Sequence, residues 1–156
     1  MARLIIPELE ELSFRRKMYE NERTMSFLHK TVPFPKEAWE PFYQEMIQAD
    51  PAEYCYRLIY CGGCEDFVGE VMYRRRPGTD TAECAILIEA SKRKNGYGRS
   101  GMELLEQTAA GYGIRTFYAR IAKDNPACGF FEHLGFRKVR EEGSVLVMKK
   151  EFTKIL

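Results

Sequence analysis

Two adjoining stretches decide the fold: Ala82-Glu83-Cys84-Ala85-Ile86-Leu87-Ile88 and Arg93-Lys94-Asn95-Gly96-Tyr97-Gly98-Arg99-Ser100-Gly101. The first is apolar on both faces after Glu83, as expected of a central strand covered on both sides. The second opens a helix predicted from about Tyr97 to Gly111, with Met102, Leu104 and Leu105 as core residues. A strand, a glycine loop and a helix start in that order suit an anion. Gly96 and Gly98 let backbone N–H groups approach it with no Cβ in the way. The helix start adds unpaired N–H groups and the positive end of its dipole. Arg93, Lys94 and Arg99 supply local positive charge, and Asn95, Tyr97 and Ser100 fall within the same phosphate-cradling span.

Three phosphate-binding patterns compete for this loop. Gly96 to Gly101 matches G-x-G-x-x-G, which by itself is a weak sign of a dinucleotide fold. That fold sets its first glycine tight against the strand end in a repeated parallel unit. Here seven residues, Glu89 to Asn95, intervene, and only 55 residues follow Gly101. A nucleotide-cofactor oxidoreductase is therefore kept as an alternative only. A P-loop fails because no Gly-Lys-Ser/Thr closes the pattern. The third pattern takes the basic residues ahead of the glycines as part of the motif.

Upstream, Tyr54–Tyr60 and Phe67–Tyr73 read as strands around a Cys61-Gly62-Gly63-Cys64 turn, which makes a β-hairpin. Pro77-Gly78-Thr79-Asp80 then turns the chain into the central strand. Two helices are predicted before the hairpin. One starts at Pro7 with acidic residues in its first turn and runs to about Tyr19. The other runs from about Lys36 to Ala49, with Trp39, Phe42, Tyr43, Met46 and Ile47 at helical spacing. Downstream come a strand from Arg115 to Ala122, a short helix capped by Asp124-Asn125-Pro126, and strands over Phe136–Arg140 and Val145–Phe152. The expected class is α/β, with a mixed, mostly antiparallel central sheet flanked by helices.

Two motifs in this order give the chain a family resemblance. Arg93-x-x-Gly96-x-Gly98 resembles the acyl-CoA pyrophosphate motif R/Q-x-x-G-x-G/A of the GCN5-related N-acetyltransferase family. Phe130-Phe131-Glu132-His133-Leu134-Gly135-Phe136 is similar to that family's F-Y-E-K-L-G-F segment. The resemblance implies an acyl-CoA N-acyltransferase fold with a V-shaped opening between the fourth and fifth strands of the sheet. Acetyl-CoA would be the cosubstrate, its pantetheine arm along the backbone of Ile86, Leu87 and Ile88 and its pyrophosphate at Arg93–Ser100. A primary amine would enter from the other side and attack the thioester directly. A backbone N–H near Ile86–Ile88 would serve the oxyanion.

The chain departs from the family pattern in two places. Where the family has a tyrosine thought to protonate the leaving thiolate there is Phe131, which has no proton to give; Tyr118 on the neighbouring strand is one substitute. Phe131 thereby also keeps open a non-catalytic CoA-binding regulatory domain. The family's upstream Asn aligns with Asp124, or with Asn125 if the helix is one residue shorter. For a general base the resemblance points to Glu83 at the start of the central strand, with Glu70 in reserve.

The remaining features bound the answer. A length of 156 residues suits one domain, here residues 1–156, with a substantial core. The 24 Lys and Arg nearly balance the 23 Asp and Glu, which argues against a general grip on nucleic acid or an acidic membrane. The N-terminal residues lack a secretory apolar run, and five cysteines fit a reducing compartment, so a cytoplasmic location is expected. Cys61-x-x-Cys64 lacks a second ligand pair, so no metal site is expected and the pair reads as a turn with two partly exposed thiols. The acceptor is expected to be a small-molecule amine or a peptide N-terminus, with Met25–Lys30 as its recognition segment. Arg74-Arg75-Arg76 reads as a solvated strand end that could help attract the 3′-phosphate of CoA or an acidic substrate. A homodimer through an exposed strand edge is a further expectation.

Overall fold

The computed structural model describes residues 2–152. Seven strands form one sheet: β1 (Ala2–Ile5), β2 (Tyr54–Cys61), β3 (Asp66–Arg75), β4 (Thr81–Ile88), β5 (Thr116–Ala122), β6 (Arg137–Glu142) and β7 (Val145–Glu151). Their spatial order is β1-β2-β3-β4-β5-β7-β6, and every neighbouring pair is antiparallel except β4 and β5. Four α-helical segments accompany them: α1 (Leu12–Tyr19), α2 (Trp39–Phe42), α3 (Tyr97–Gly111) and α4 (Ala127–His133).

Each face of the sheet has its own core, because strand side chains alternate between faces. Ile59, Val71, Tyr73 and Phe117 meet Met102 and Leu105 of α3 and Phe131 of α4 on one face. Tyr56, Leu58 and Leu87 meet Leu12 and Met18 of α1 and Trp39 of α2 on the other.

The mixed α/β architecture is as expected from the sequence, and the differences have local causes. The N-terminal residues 2–5 form an edge strand against β2, a run too short to show a period. The first helix is split into a 3₁₀ turn at Leu9–Glu11 and α1. The second never becomes a continuous α-helix. It passes from a 3₁₀ turn (Lys36–Ala38) through α2 to a π-helical turn (Tyr43–Ile47). Pro41 lies inside it, where it can neither donate a hydrogen bond nor tolerate the carbonyl four residues back.

The central strand differs most from its sequence reading. Leu87 is buried on the α1/α2 face, but Glu83 and Ala85 on that face are exposed. Strand β4 is therefore covered on both sides only at its end.

Candidate active site

The exposed part of β4 coincides with a break in the sheet. The parallel ladder to β5 consists of Thr81 with Thr116, Ala82 with Phe117 and Glu83 with Tyr118, and then stops. Strand β4 continues to Ile88 paired only with β3, while β5 continues to Ala122 paired only with β7. Past Glu83, the alternate N–H and C=O groups of β4 that face β5 have no strand to bond. Backbone groups of this kind need a partner when sheltered from water, and an extended amide-bearing chain lying in the gap would supply one. Ile86 and Ile88 are half-buried on the α3 face of this stretch.

The glycine loop sits at the open end of the gap. Lys94 (φ 66°) and Gly96 (φ 81°) are both left-handed, a conformation that costs Lys94 more than the glycine. The Asn95 amide holds the turn by donating to the carbonyls of Lys92 and Arg93, both at 3.1 Å. Helix α3 starts with the Ser100 N–H donating to the Gly96 carbonyl at 3.1 Å. The N–H groups of Tyr97, Gly98 and Arg99 precede that bond and have no acceptor among the described residues. At Gly98 a Cβ would stand 3.0 Å from the ring of Phe130 and 3.8 Å from Ile86, so the helix start lies flush against α4 and β4.

The side chains of the loop do more bracing than expected. Arg93 donates to the Ile88 carbonyl at 3.0 Å and the Thr24 carbonyl at 2.8 Å. Burial, and then the like charge of Arg23, lower its guanidinium from the ordinary value. Arg99 reaches the His133 carbonyl at 3.3 Å. Of the three basic residues, Lys94 alone is unpartnered among the described residues. Tyr97 shares a 3.2 Å hydrogen bond with the Cys61 sulfur. With the Cys64 side chain, the Tyr97 hydroxyl and the Cys64 N–H as its causes, the Cys61 thiol is pushed down to about 7. Contrary to the expectation of two partly exposed thiols, Cys61 is buried and only Cys64 is exposed. Among the described residues no three metal-ligating side chains converge.

Around the gap, Glu83 is flanked in register by Arg74 on β3 and Tyr118 on β5. Asn125 Oδ1 accepts the Ala127 N–H at 2.9 Å in the turn that leads into α4. Asp124 instead meets the exposed His29 imidazole at 3.2 Å. Phe131 is buried between Phe130 and Phe136, with ring centroids 5.4 and 5.0 Å away. The segment 24–29 runs along this opening. Buried Thr24 accepts the Ala90 N–H at 3.1 Å beyond the end of β4, and His29 touches Asp124 beyond the end of β5. The sequence carried no signal for Thr24, which sits in an aperiodic stretch.

Glu70, the reserve base, has another role. It is buried and accepts hydrogen bonds from Arg15 (2.6 and 2.7 Å), Tyr19 (2.7 Å) and Tyr56 (2.5 Å). Burial alone would lower the Arg15 guanidinium, but the charge of Glu70 keeps it raised. The Arg15 guanidinium also lies 4.1 Å from the Tyr19 ring centroid and 4.4 Å from that of Phe42. This cluster clamps α1 and α2 to the sheet and occupies the Glu70 carboxylate, while Arg15 Nε is buried with no hydrogen-bond partner among the described residues.

A sheet that opens beside a glycine loop with free helix N–H groups defines an acyl-CoA N-acyltransferase fold. The chain belongs to the acetyltransferase (GNAT) family, whose model matches residues 15–136. It is an N-acetyltransferase by that membership, with acetyl-CoA as cosubstrate. Solved structures share the fold at low identity. Spermidine N-acetyltransferase from Vibrio cholerae, in complex with CoA and spermine, superposes with a TM-score of 0.81 at 18% identity, covering 96% of this chain and 95% of that one. PaiA N-acetyltransferase from Thermoplasma acidophilum, in complex with coenzyme A, gives 0.74 at 12% identity over 97% and 99%. An acetyltransferase from Thermus thermophilus gives 0.77 at 22% identity over 97% of each chain. No curated protein matches in sequence. Among the described residues, no helix is long and apolar enough to cross a membrane.

Proposed function

We propose that residues 1–156 act as one domain that moves acetyl from acetyl-CoA to a primary amine by direct attack within a ternary complex. The observation that carries this reading is the end of the β4–β5 ladder at Glu83, beside the unsatisfied N–H groups of residues 97–99. Those N–H groups and Lys94 would hold the pyrophosphate, and Arg93 would keep the loop in shape. The β5-facing backbone of residues 84–88 would bond the pantetheine amides and offer an N–H to the developing oxyanion.

Glu83 is the general base in this scheme. It takes a proton from the entering ammonium, the amine nitrogen bonds to the thioester carbon, the C–S bond breaks, thiolate leaves, and the second proton on the nitrogen passes to the thiolate or to water. A thiolate leaves readily near neutral pH, so no acid is obligatory. Tyr118, next to Glu83 in register, is the hydroxyl placed to supply a proton. The acceptor is a small-molecule amine or a peptide N-terminus. The five free cysteines support a cytoplasmic setting. A homodimer would use the β1 edge, because β6 guards its own with Lys138, Arg140, Glu141 and Glu142.

A second reading, a CoA-binding regulatory domain without turnover, is favoured by one observation: Phe131 is a buried ring with no hydroxyl. Acetyl-CoA-dependent release of free thiol across a panel of amines separates the two. Acetylated product supports transfer. Cofactor binding with no product from any amine supports the regulatory reading.

A further inference from the structure

We propose that the acceptor is an amine carrying a carboxylate within a few bonds of its nitrogen, a proposal that rests on the transfer reading above. One row of register partners crosses the sheet: Tyr54, Arg74, Glu83, Tyr118, Lys149 and Arg137. Tyr73, Cys84, Phe117 and Met148 lie in the core on the α3 side, so their neighbours Arg74, Glu83, Tyr118 and Lys149 point to the opposite face. That is the face on which β4 is uncovered. Arg76 joins the row from the end of β3, its guanidinium 4.9 Å from the Tyr118 ring centroid, and the Lys149 ammonium lies 5.9 Å from the same ring.

The pairing of these charges is unusual. Opposite charges directly across a strand pair ordinarily stabilise each other. Arg74 and Glu83 stand opposite in register, yet among the described residues neither has an ion-pair partner, and neither do Arg76 and Arg137; Lys149 pairs with Glu151 at 3.2 Å. The row therefore presents an open carboxylate beside open guanidinium groups. Opposed residues of an antiparallel pair have Cα atoms about 4.5–5.5 Å apart. An ammonium at Glu83 and a carboxylate at Arg74 or Arg76 would thus be separated by the span of an amino acid or an acidic N-terminal residue. Next to the row a cleft of about 390 Å³, lined by Asp80, Thr81, Arg115, Thr116, Lys149 and Glu151, continues this mixed charge. A polycationic amine meets four cations and one carboxylate along the row itself, which disfavours it.

The basic run Arg74-Arg75-Arg76 is thereby divided by strand alternation. Arg75 faces away and donates to the carbonyls of Thr79 and Tyr112, a structural role. Arg74 and Arg76 are the specificity-determining pair.

The experiment is steady-state acetyl transfer to matched acceptors: glutamate against glutamine, peptides beginning with Glu against those beginning with Gln, and spermidine. The expected result is kcat/KM roughly tenfold or more higher for the carboxylate member of a pair. That preference should be lost in Arg74→Gln/Arg76→Gln, with the change in KM, and should weaken as salt is raised. The free amino-acid and peptide arms tell which of the two sources the site takes. Equal rates for carboxylate and amide members, a preference for spermidine, or no transfer to any member overturns the proposal. Titration with acetyl-CoA and transfer to neutral amines, run alongside, show separately whether the transfer reading stands.

Discussion

The Arg93 guanidinium donates to the Thr24 carbonyl at 2.8 Å, joining the base of the glycine loop to the segment that follows α1. A residue whose charge suits a phosphate is here a brace, and in the proposed site the anion would be left to the backbone N–H groups of residues 97–99. Arg93→Ala removes this bond and the one to Ile88. Bonds from a charged donor contribute about 1.5–3 kcal/mol, discounted here because the side chain is largely exposed. Urea unfolding should show a loss of about 1–2 kcal/mol, and acetyl-CoA affinity should fall as the loop loosens. Unchanged affinity would mean that the loop holds its shape without the brace.

Glu70→Ala should be the more damaging carboxylate substitution for stability. It strands a largely buried Arg15 that pairs with no other carboxylate among the described residues, and such losses run to about 3–5 kcal/mol. Denaturant midpoints compared with those of Glu83→Ala, which removes an exposed and unpaired group, test the contrast. Similar midpoints for the two variants would refute the clamp assigned to Glu70.

Glu83→Gln should leave acetyl-CoA affinity intact while turnover drops roughly 100-fold or more, the usual contribution of a positioned base. Isothermal titration and thiol-release kinetics on the same sample measure both. A normal turnover would move the base elsewhere or make it unnecessary.

Cys61 provides a pH readout next to the loop. With its thiol pushed down to about 7, the rate of its alkylation by iodoacetamide should rise with pH through that value and level off above it. An ordinary thiol titrates nearer about 8.5. Tyr97→Phe removes one of the bonds that stabilise the thiolate and should raise the midpoint. Peptide mapping resolves Cys61 from Cys64. A midpoint equal in both proteins would show that Tyr97 does not stabilise the thiolate.

The elements legible in the sequence were those whose period and punctuation agree. Strands β2 to β5 and helix α3 fall within a residue or two of expectation because alternation, turn residues and helical spacing all pointed one way. The N-terminal half was harder. Pro41 sits among helically spaced aromatics, and the apolar spacing hid the broken helix. Thr24 lies 66 residues from its partner Ala90, and Arg15 and Tyr19 lie 55 and 51 residues from Glu70, separations that no local pattern encodes. The same holds for the cations around Glu83. The basic run was visible, but only the pairing of β3, β4, β5 and β7 brings Arg74, Arg76 and Lys149 beside Tyr118 and that carboxylate.

The most direct test of the account is calorimetric titration of acetyl-CoA into the natural protein and into Gly98→Asp. The substitution places a Cβ 3.0 Å from Phe130 and a carboxylate before the free N–H groups of α3, where it competes with any bound anion. An acidic residue near a helix start is otherwise favourable to the helix, so the fold should persist, as checked by circular dichroism. Saturable one-to-one binding is expected for the natural protein and none for the folded variant. Equal acetyl-CoA affinity in the two proteins would contradict this expectation.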